Sequence, residues 1–126
     1  MILLLDSTVL IDVLRERKGR RELLVELVRG GHTLATSAIN ICEVYAGMRP
    51  EEEARTEAFL SGLECYPLTG SIARRAGSLK SAWARRGTTL SLADMLVAAT
   101  ALEVGAELMT DNRKDFPVDG LKIYPL

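Results

Sequence analysis

Apolar positions along this chain follow two rhythms. Ile2 to Leu5 is a short unbroken apolar run, the mark of a strand buried on both sides. After Asp6 the period lengthens. Val9, Leu10, Val13 and Leu14 recur at helical spacing, and Leu23, Leu24, Leu27 and Val28 repeat it up to the Gly30-Gly31 break. Thr33 to Thr36 reads as a second strand. Ser37 is placed to cap a helix from Ala38 to about Tyr45, which Gly47 and Pro50 close. Glu51 to Leu60 is a charged amphipathic helix ended at Gly62, and Glu64 to Pro67 a third strand. Thr69 opens a helix that runs to Arg86 and stops at Gly87. Ser91 caps another over Leu92 to Val104, ended by Gly105. Glu107 to Thr110 is a fourth strand and Leu121 to Tyr124 a short fifth.

Strands alternating with helices predict an α/β domain: three layers, α/β/α, around a mostly parallel sheet of four to five strands. The 126 residues suit a single domain over 1–126, with no internal repeat and no low-complexity linker. Charge narrows the function. A net charge of -1 makes the chain no polycation, so any nucleic acid must be met by a local basic face or through metal ions. No apolar run approaches the roughly 18 residues of a membrane span, and the apolar start is too short for a secretory leader. Cys42 and Cys65 form no C-x-x-C pair and are expected to be structural thiols in a reducing cytoplasm.

In open α/β sheets ligands bind beyond the carboxyl ends of the strands. Asp6 directly follows the first strand, and Glu43 lies in the second turn of the helix after the second. Asp94 lies in the first turn of the helix capped by Ser91; Asp111, Asn112 and Asp115 follow the fourth strand. Every polar group the topology sends to that edge is an acid or an amide. Each also has an ordinary structural role. Asp6 can cap the helix beginning near Thr8, Asp94 stands at a capping-box position, and Asp111 or Asp115 suits a turn. The helix carrying Asp94 is apolar on nearly every face, so its carboxylate is expected to be partly desolvated, which is costly without a partner. Converging carboxylates repel one another, and a divalent cation removes that repulsion. An oxygen-only set favours Mg2+ or Mn2+ over zinc.

Four segments carry a family resemblance. Asp6-Ser7-x-x-Leu10-Ile11-Asp12 resembles the opening of a PIN domain, and Thr36-Ser37-x-x-Asn40-x-x-Glu43-Val44-x-x-Gly47 its second motif. Leu92-Ala93-Asp94-x-x-Val97-Ala98-Ala99-Thr100-Ala101 resembles the third. Thr110-Asp111-Asn112-Arg113-Lys114-Asp115-Phe116 resembles the fourth. They fall in the right order over nearly the whole chain, at a length typical of VapC-type toxins. The resemblance implies a metal-dependent endoribonuclease, the toxin of a toxin–antitoxin pair, inhibited by a small VapB-like antitoxin and expected as a homodimer. Asp6, Glu43 and Asp94 match the first three acidic positions. The fourth is open: many relatives carry an acid where this chain has Asn112, Asp115 is favoured here, and Asp111 is the alternative. Asp6, Asp94 and Asp115 are the implied metal ligands, with Ser7, Thr8, Asn40 and Asn112 in support.

The mechanism implied is hydrolysis by metal-activated water, leaving 5′-phosphate and 3′-hydroxyl ends. Nucleases that use the 2′-hydroxyl commonly need a pair of acid–base groups, and His32, expected at the surface, is the only histidine. RNA backbone contact falls to Arg15, Arg17, Lys18, Arg20 and Arg21, or to Arg74, Arg75, Lys80, Arg85 and Arg86. Trp83 is expected in the core or an interface. Leu10 to Leu14 and Ala54 to Leu60 are candidates for a homodimer or antitoxin groove, and equally for core. The rival readings are a catalytically silent PIN-fold partner-binding module and a receiver-type phosphoacceptor. The receiver would show paired acids after the first strand and a strand-end lysine, and neither is evident.

Overall fold

The computed structural model describes residues 1–126. Strands β1 (Ile2–Leu5), β2 (Thr33–Ser37), β3 (Glu64–Tyr66) and β4 (Glu107–Met109) form one sheet in the order β3-β2-β1-β4. All three pairings are parallel. The chain lays β1, β2 and β3 outward in one direction and then returns to place β4 on the other side of β1. The point where that order reverses lies between β1 and β4.

The apolar run of β1 is explained by its two faces. Leu4 belongs to a core with Ala35, Leu108, Met95, Ala98 and Phe116, whereas Leu3 and Leu5 belong to a second core with Val9, Leu10, Val13 and Met109. Successive side chains point to opposite faces of a strand, so a sheet covered on both sides needs an apolar residue at every position. One cover consists of α5 (Gly70–Arg85) and α6 (Leu92–Val104), which pack on each other. The other consists of α1 (Ser7–Leu14), α2 (Arg20–Arg29) and α4 (Glu53–Leu60). Helix α3 (Ala38–Gly47) touches both α1 and α6.

Helix starts follow the polar residues that sequence singled out. Ser37, Thr69 and Ser91 accept hydrogen bonds from the backbone N–H of Asn40, Ile72 and Asp94. Gly105 ends α6 with φ +70, a conformation open to glycine at no steric cost. The expected helix over Glu51 to Leu60 is instead a 3-10 turn at Pro50–Glu52 followed by α4.

Two expectations are corrected. The fifth strand at Leu121 to Tyr124 is a single bridge between Leu108 and Ile123. β4 is only three residues long, and the last segment meets it at Leu108 alone, whose N–H donates to the Lys122 carbonyl and whose carbonyl accepts from the Tyr124 N–H. Cys42 and Cys65 are free and exposed, not thiols packed in the core. No helix is long and apolar enough to cross a membrane.

Candidate active site at the sheet switch point

The strand order reverses between β1 and β4, the kind of position at which open α/β sheets bind ligands. Asp6 stands there, only 6% exposed. Its backbone N–H donates to the Met109 carbonyl at 2.9 Å, which ties the ends of the two strands together. Its carboxylate is held from three directions. Oδ1 accepts from the Ser7 backbone N–H at 2.9 Å and from Asn40 Nδ2 at 3.1 Å, and Oδ2 accepts from Thr110 Oγ1 at 2.7 Å. Asp6 is therefore both the N-cap of α1 and a member of the crevice; its two roles coexist.

A chain of polar groups joins the neighbouring elements. Ser37 Oγ donates to Asn40 Oδ1 at 2.6 Å, and Asn40 Nδ2 also reaches Ser7 Oγ at 3.0 Å. Ser7 Oγ in turn donates to Glu43 Oε1 at 2.6 Å. Asn40 is wholly buried, so each of its polar atoms needs a partner, and these bonds supply them. They also fix the amide with its nitrogen toward Asp6. Thr8 Oγ1, one residue further along α1, is buried without a partner.

Asp94 is half-buried in the first turn of α6. Desolvation raises its pKa from an ordinary 3.8 to about 6, helped by the negative charges of Asp6, Asp115 and Glu43. The acids whose charge bears on Asp94 are thus Asp6, Asp115 and Glu43, and Asp111 is not among them. Asp111 points elsewhere, to Arg20 Nη2 at 2.6 Å and Lys18 Nζ at 3.4 Å. The Asn112 side chain makes no hydrogen bond, and its backbone N–H donates to Thr110 Oγ1 at 3.0 Å.

Asp94 and these three acids offer oxygen donors alone, and their mutual repulsion is the kind a divalent cation relieves. As the side chains stand, no three His, Cys, Asp or Glu residues gather tightly enough to chelate an ion. The oxygen-only donor set is of the kind that suits a hard divalent cation.

The contacts of Thr110 and Lys80 were not legible in the sequence. Thr110 is a buried strand-end residue, and its adjacency to the fourth acidic segment was the available signal. Lys80, assigned to RNA contact, donates to the Leu90 carbonyl at 2.6 Å, just before the Ser91 cap of the helix that carries Asp94. Other basic residues are also engaged: Lys18 and Arg20 with Asp12 and Asp111, Arg75 with Glu103, and Arg86 over the half-buried ring of Trp83 at 4.1 Å. Arg15, Arg17 and Arg74 have no acidic partner, and neither do Arg113 and Lys114 beside Asp115. His32 is half-buried, and its Nδ1 lacks a partner.

Away from the crevice, an apolar groove of about 690 Å³ runs between α1, α2 and α4. Val13, Leu14, Leu24, Val28 and Phe59 line it, and Arg21, Arg29 and Arg55 stand among them.

Comparison with known proteins agrees with this geometry. The model of the PIN domain family matches residues 3–118. Ribonuclease VapC19 of Mycobacterium tuberculosis is 36% identical over 115 residues, 91% of this chain and 92% of that protein. Ribonuclease VapC10 of the same organism is 36% identical over 117 residues, 93% of this chain and 87% of that protein. Among solved structures, a toxin–antitoxin complex from Klebsiella pneumoniae superimposes with a TM-score of 0.81 at 29% identity, covering 98% of each chain. VapBC2 from Rickettsia felis, bound to a DNA fragment from its promoter, gives 0.87 at 23% identity over 98% of each chain, a likeness of fold. The chain belongs to the PIN-domain family, among its VapC-type members.

Proposed function

We propose that this protein is a Mg2+- or Mn2+-dependent endoribonuclease, the toxin of a VapBC-type pair, with its site at Asp6, Glu43, Asp94 and Asp115. The observation that carries the reading is the buried Asp6 carboxylate at the sheet switch point, held by the Ser7 amide, Asn40 and Thr110 and linked through Ser7 to Glu43, with burial and neighbouring carboxylates raising the pKa of Asp94. The relatives named as ribonucleases support it. Asp6, Asp94 and Asp115 would hold the cation. When bound, the ion supplies Lewis-acid charge that activates water and offsets the developing phosphate charge.

The chain's own residues set the geometry. Thr110, Asn40 and the Ser7 amide fix both oxygens of Asp6, so that its carboxylate is oriented before any ligand arrives. Ser7 holds one oxygen of Glu43 and leaves the other free to orient the attacking water. Attack in line at phosphorus would leave 5′-phosphate and 3′-hydroxyl ends. Asp115, not Asp111, completes the acidic set, because the Asp111 carboxylate is engaged by Arg20 and Lys18. The apolar groove between α1, α2 and α4 is the seat for the antitoxin; its arginines suit an apolar segment flanked by acids.

The test is cleavage of end-labelled structured RNAs by the purified chain, with Mg2+, with Mn2+ and with excess chelator, beside Asp6→Asn and Asp94→Asn. Cleavage should need the cation, fall by about a thousandfold or more in each variant, and leave ends that ligate as 5′-phosphates. Activity that persists in chelator, or variants that cut like the parent, would overturn the assignment.

A further inference from the structure

Arg20 stands where a cation is electrostatically unwelcome. It opens α2 behind Gly19, a position with no side-chain cap, where the helix dipole presents positive charge. Two carboxylates compensate it. Its Nε lies 3.6 Å from Asp12 Oδ2 and its Nη2 lies 2.6 Å from Asp111 Oδ1. The Asp12 contact is sheltered but is an ion pair without a hydrogen bond, at side-chain exposures of 12% for Arg20 and 9% for Asp12; the hydrogen bond to Asp111, whose side chain is 27% exposed, lies in the open. At 2.6 Å the Asp111 contact is a short charge-assisted hydrogen bond, the stronger kind, and the buried Asp12 charge holds the guanidinium beside it.

Asp111 begins the turn that carries Asn112 and Asp115. The turn is anchored at one end by buried Thr110 and at the other by Phe116, which is 3% exposed. Between them the backbone bonds are local: Asn112 to Thr110 Oγ1, and Asp115 to the Asn112 carbonyl. The only side-chain bonds from residues 111–115 to another element are those Asp111 receives from Arg20 and Lys18. Lys18, with 59% of its side chain exposed and the longer 3.4 Å contact, is the weaker of the two.

We propose that Arg20 is a positioning residue for the reaction, clamping Asp111 so that the turn holds Asp115 toward Asp94. The inference rests on the ribonuclease reading, and it recasts Asp111 as an anchor of the turn instead of a member of the acidic set. Because a misplacement of about 1 Å can cost about a hundredfold in rate, a single tether on a short turn is enough to matter.

The experiment compares the parent, Asp111→Asn, Arg20→Gln and the double variant. Hydrogen exchange of residues 111–116 is measured without metal or RNA, and kcat and KM are measured on an RNA that the parent cuts. Each single variant should speed exchange in 111–116 by about tenfold while β1 stays protected. Each should lower kcat by about ten- to a hundredfold with little change in KM, and the double should be no worse than the poorer single. Should Arg20→Gln fail to fold, Asp111→Asn alone decides, since it leaves the Asp12–Arg20 pair in place. Unchanged exchange in 111–116 overturns the proposal. So does a loss in Asp111→Asn that Arg20→Gln does not share, which would make Asp111 itself part of the chemistry. Should the parent cut no RNA, the function reading falls while the exchange result still decides the clamp.

Discussion

Replacing Asp94 by asparagine separates what the acidic site costs the fold from what it contributes to chemistry. Burial and three neighbouring carboxylates lift Asp94 from 3.8 to about 6. The folded chain therefore binds that proton more tightly than the unfolded chain. The associated stability is complete below the unfolded value of 3.8 and is lost as pH rises through about 6. For a fully enclosed carboxylate the penalty at neutral pH would be roughly 3 kcal/mol. Asp94 is only half-buried, so solvent screening reduces this to roughly 1.5 kcal/mol. Its charge also gains about 0.5 kcal/mol from the N-terminal end of α6, which asparagine forfeits. Asp94→Asn is thus expected to stabilise the metal-free chain by about 1 kcal/mol near pH 7, a rise of roughly 4 °C in Tm. That gain should shrink steadily toward about pH 4, where the parent carboxyl is protonated in the fold. The assay is thermal and urea unfolding in chelator across that range, alongside RNA cleavage, which the same variant should lose. A variant less stable than its parent near neutral pH, or a difference that does not change with pH, refutes the reasoning.

Two further outcomes follow from particular contacts. Thr110→Val removes the donor to Asp6 Oδ2 from a site only 3% exposed; urea unfolding should show a loss of about 2 kcal/mol at unchanged m, and cleavage should fall with it. Val28→Glu places a charge on the wall of the apolar groove at a residue 55% exposed, so folding is spared. Titration with a cognate VapB-type antitoxin should then weaken by about tenfold or more, with RNA cleavage unchanged.

Residue order alone makes the local elements legible, and with them the sheet edge to which the acids are sent. Ser37, Ser91 and Gly105 mark their helix ends because caps and left-handed stops act within a few residues, where side-chain type alone decides the outcome. The run Ile2 to Leu5 declares a doubly covered strand, and a parallel sheet then sends Asp6 and its fellows to one edge. Which acids face one another was beyond that reach. Asp111 and Asp115 lie in one short turn with equal claims in composition, and no period fixes where such a turn aims its side chains. Only the tertiary structure pairs Asp111 with Arg20, a residue distant in sequence, and leaves Asp115 without such a partner. Lys80 shows the same limit: its charge reads as an RNA contact, yet the packing of α5 on α6 turns it to the Leu90 carbonyl. The last segment reads as a strand and forms one bridge, because the β4 edge it meets is only three residues long. Local rules place residues on elements, whereas partnerships between charges distant in sequence exist only once the layers have closed around the sheet.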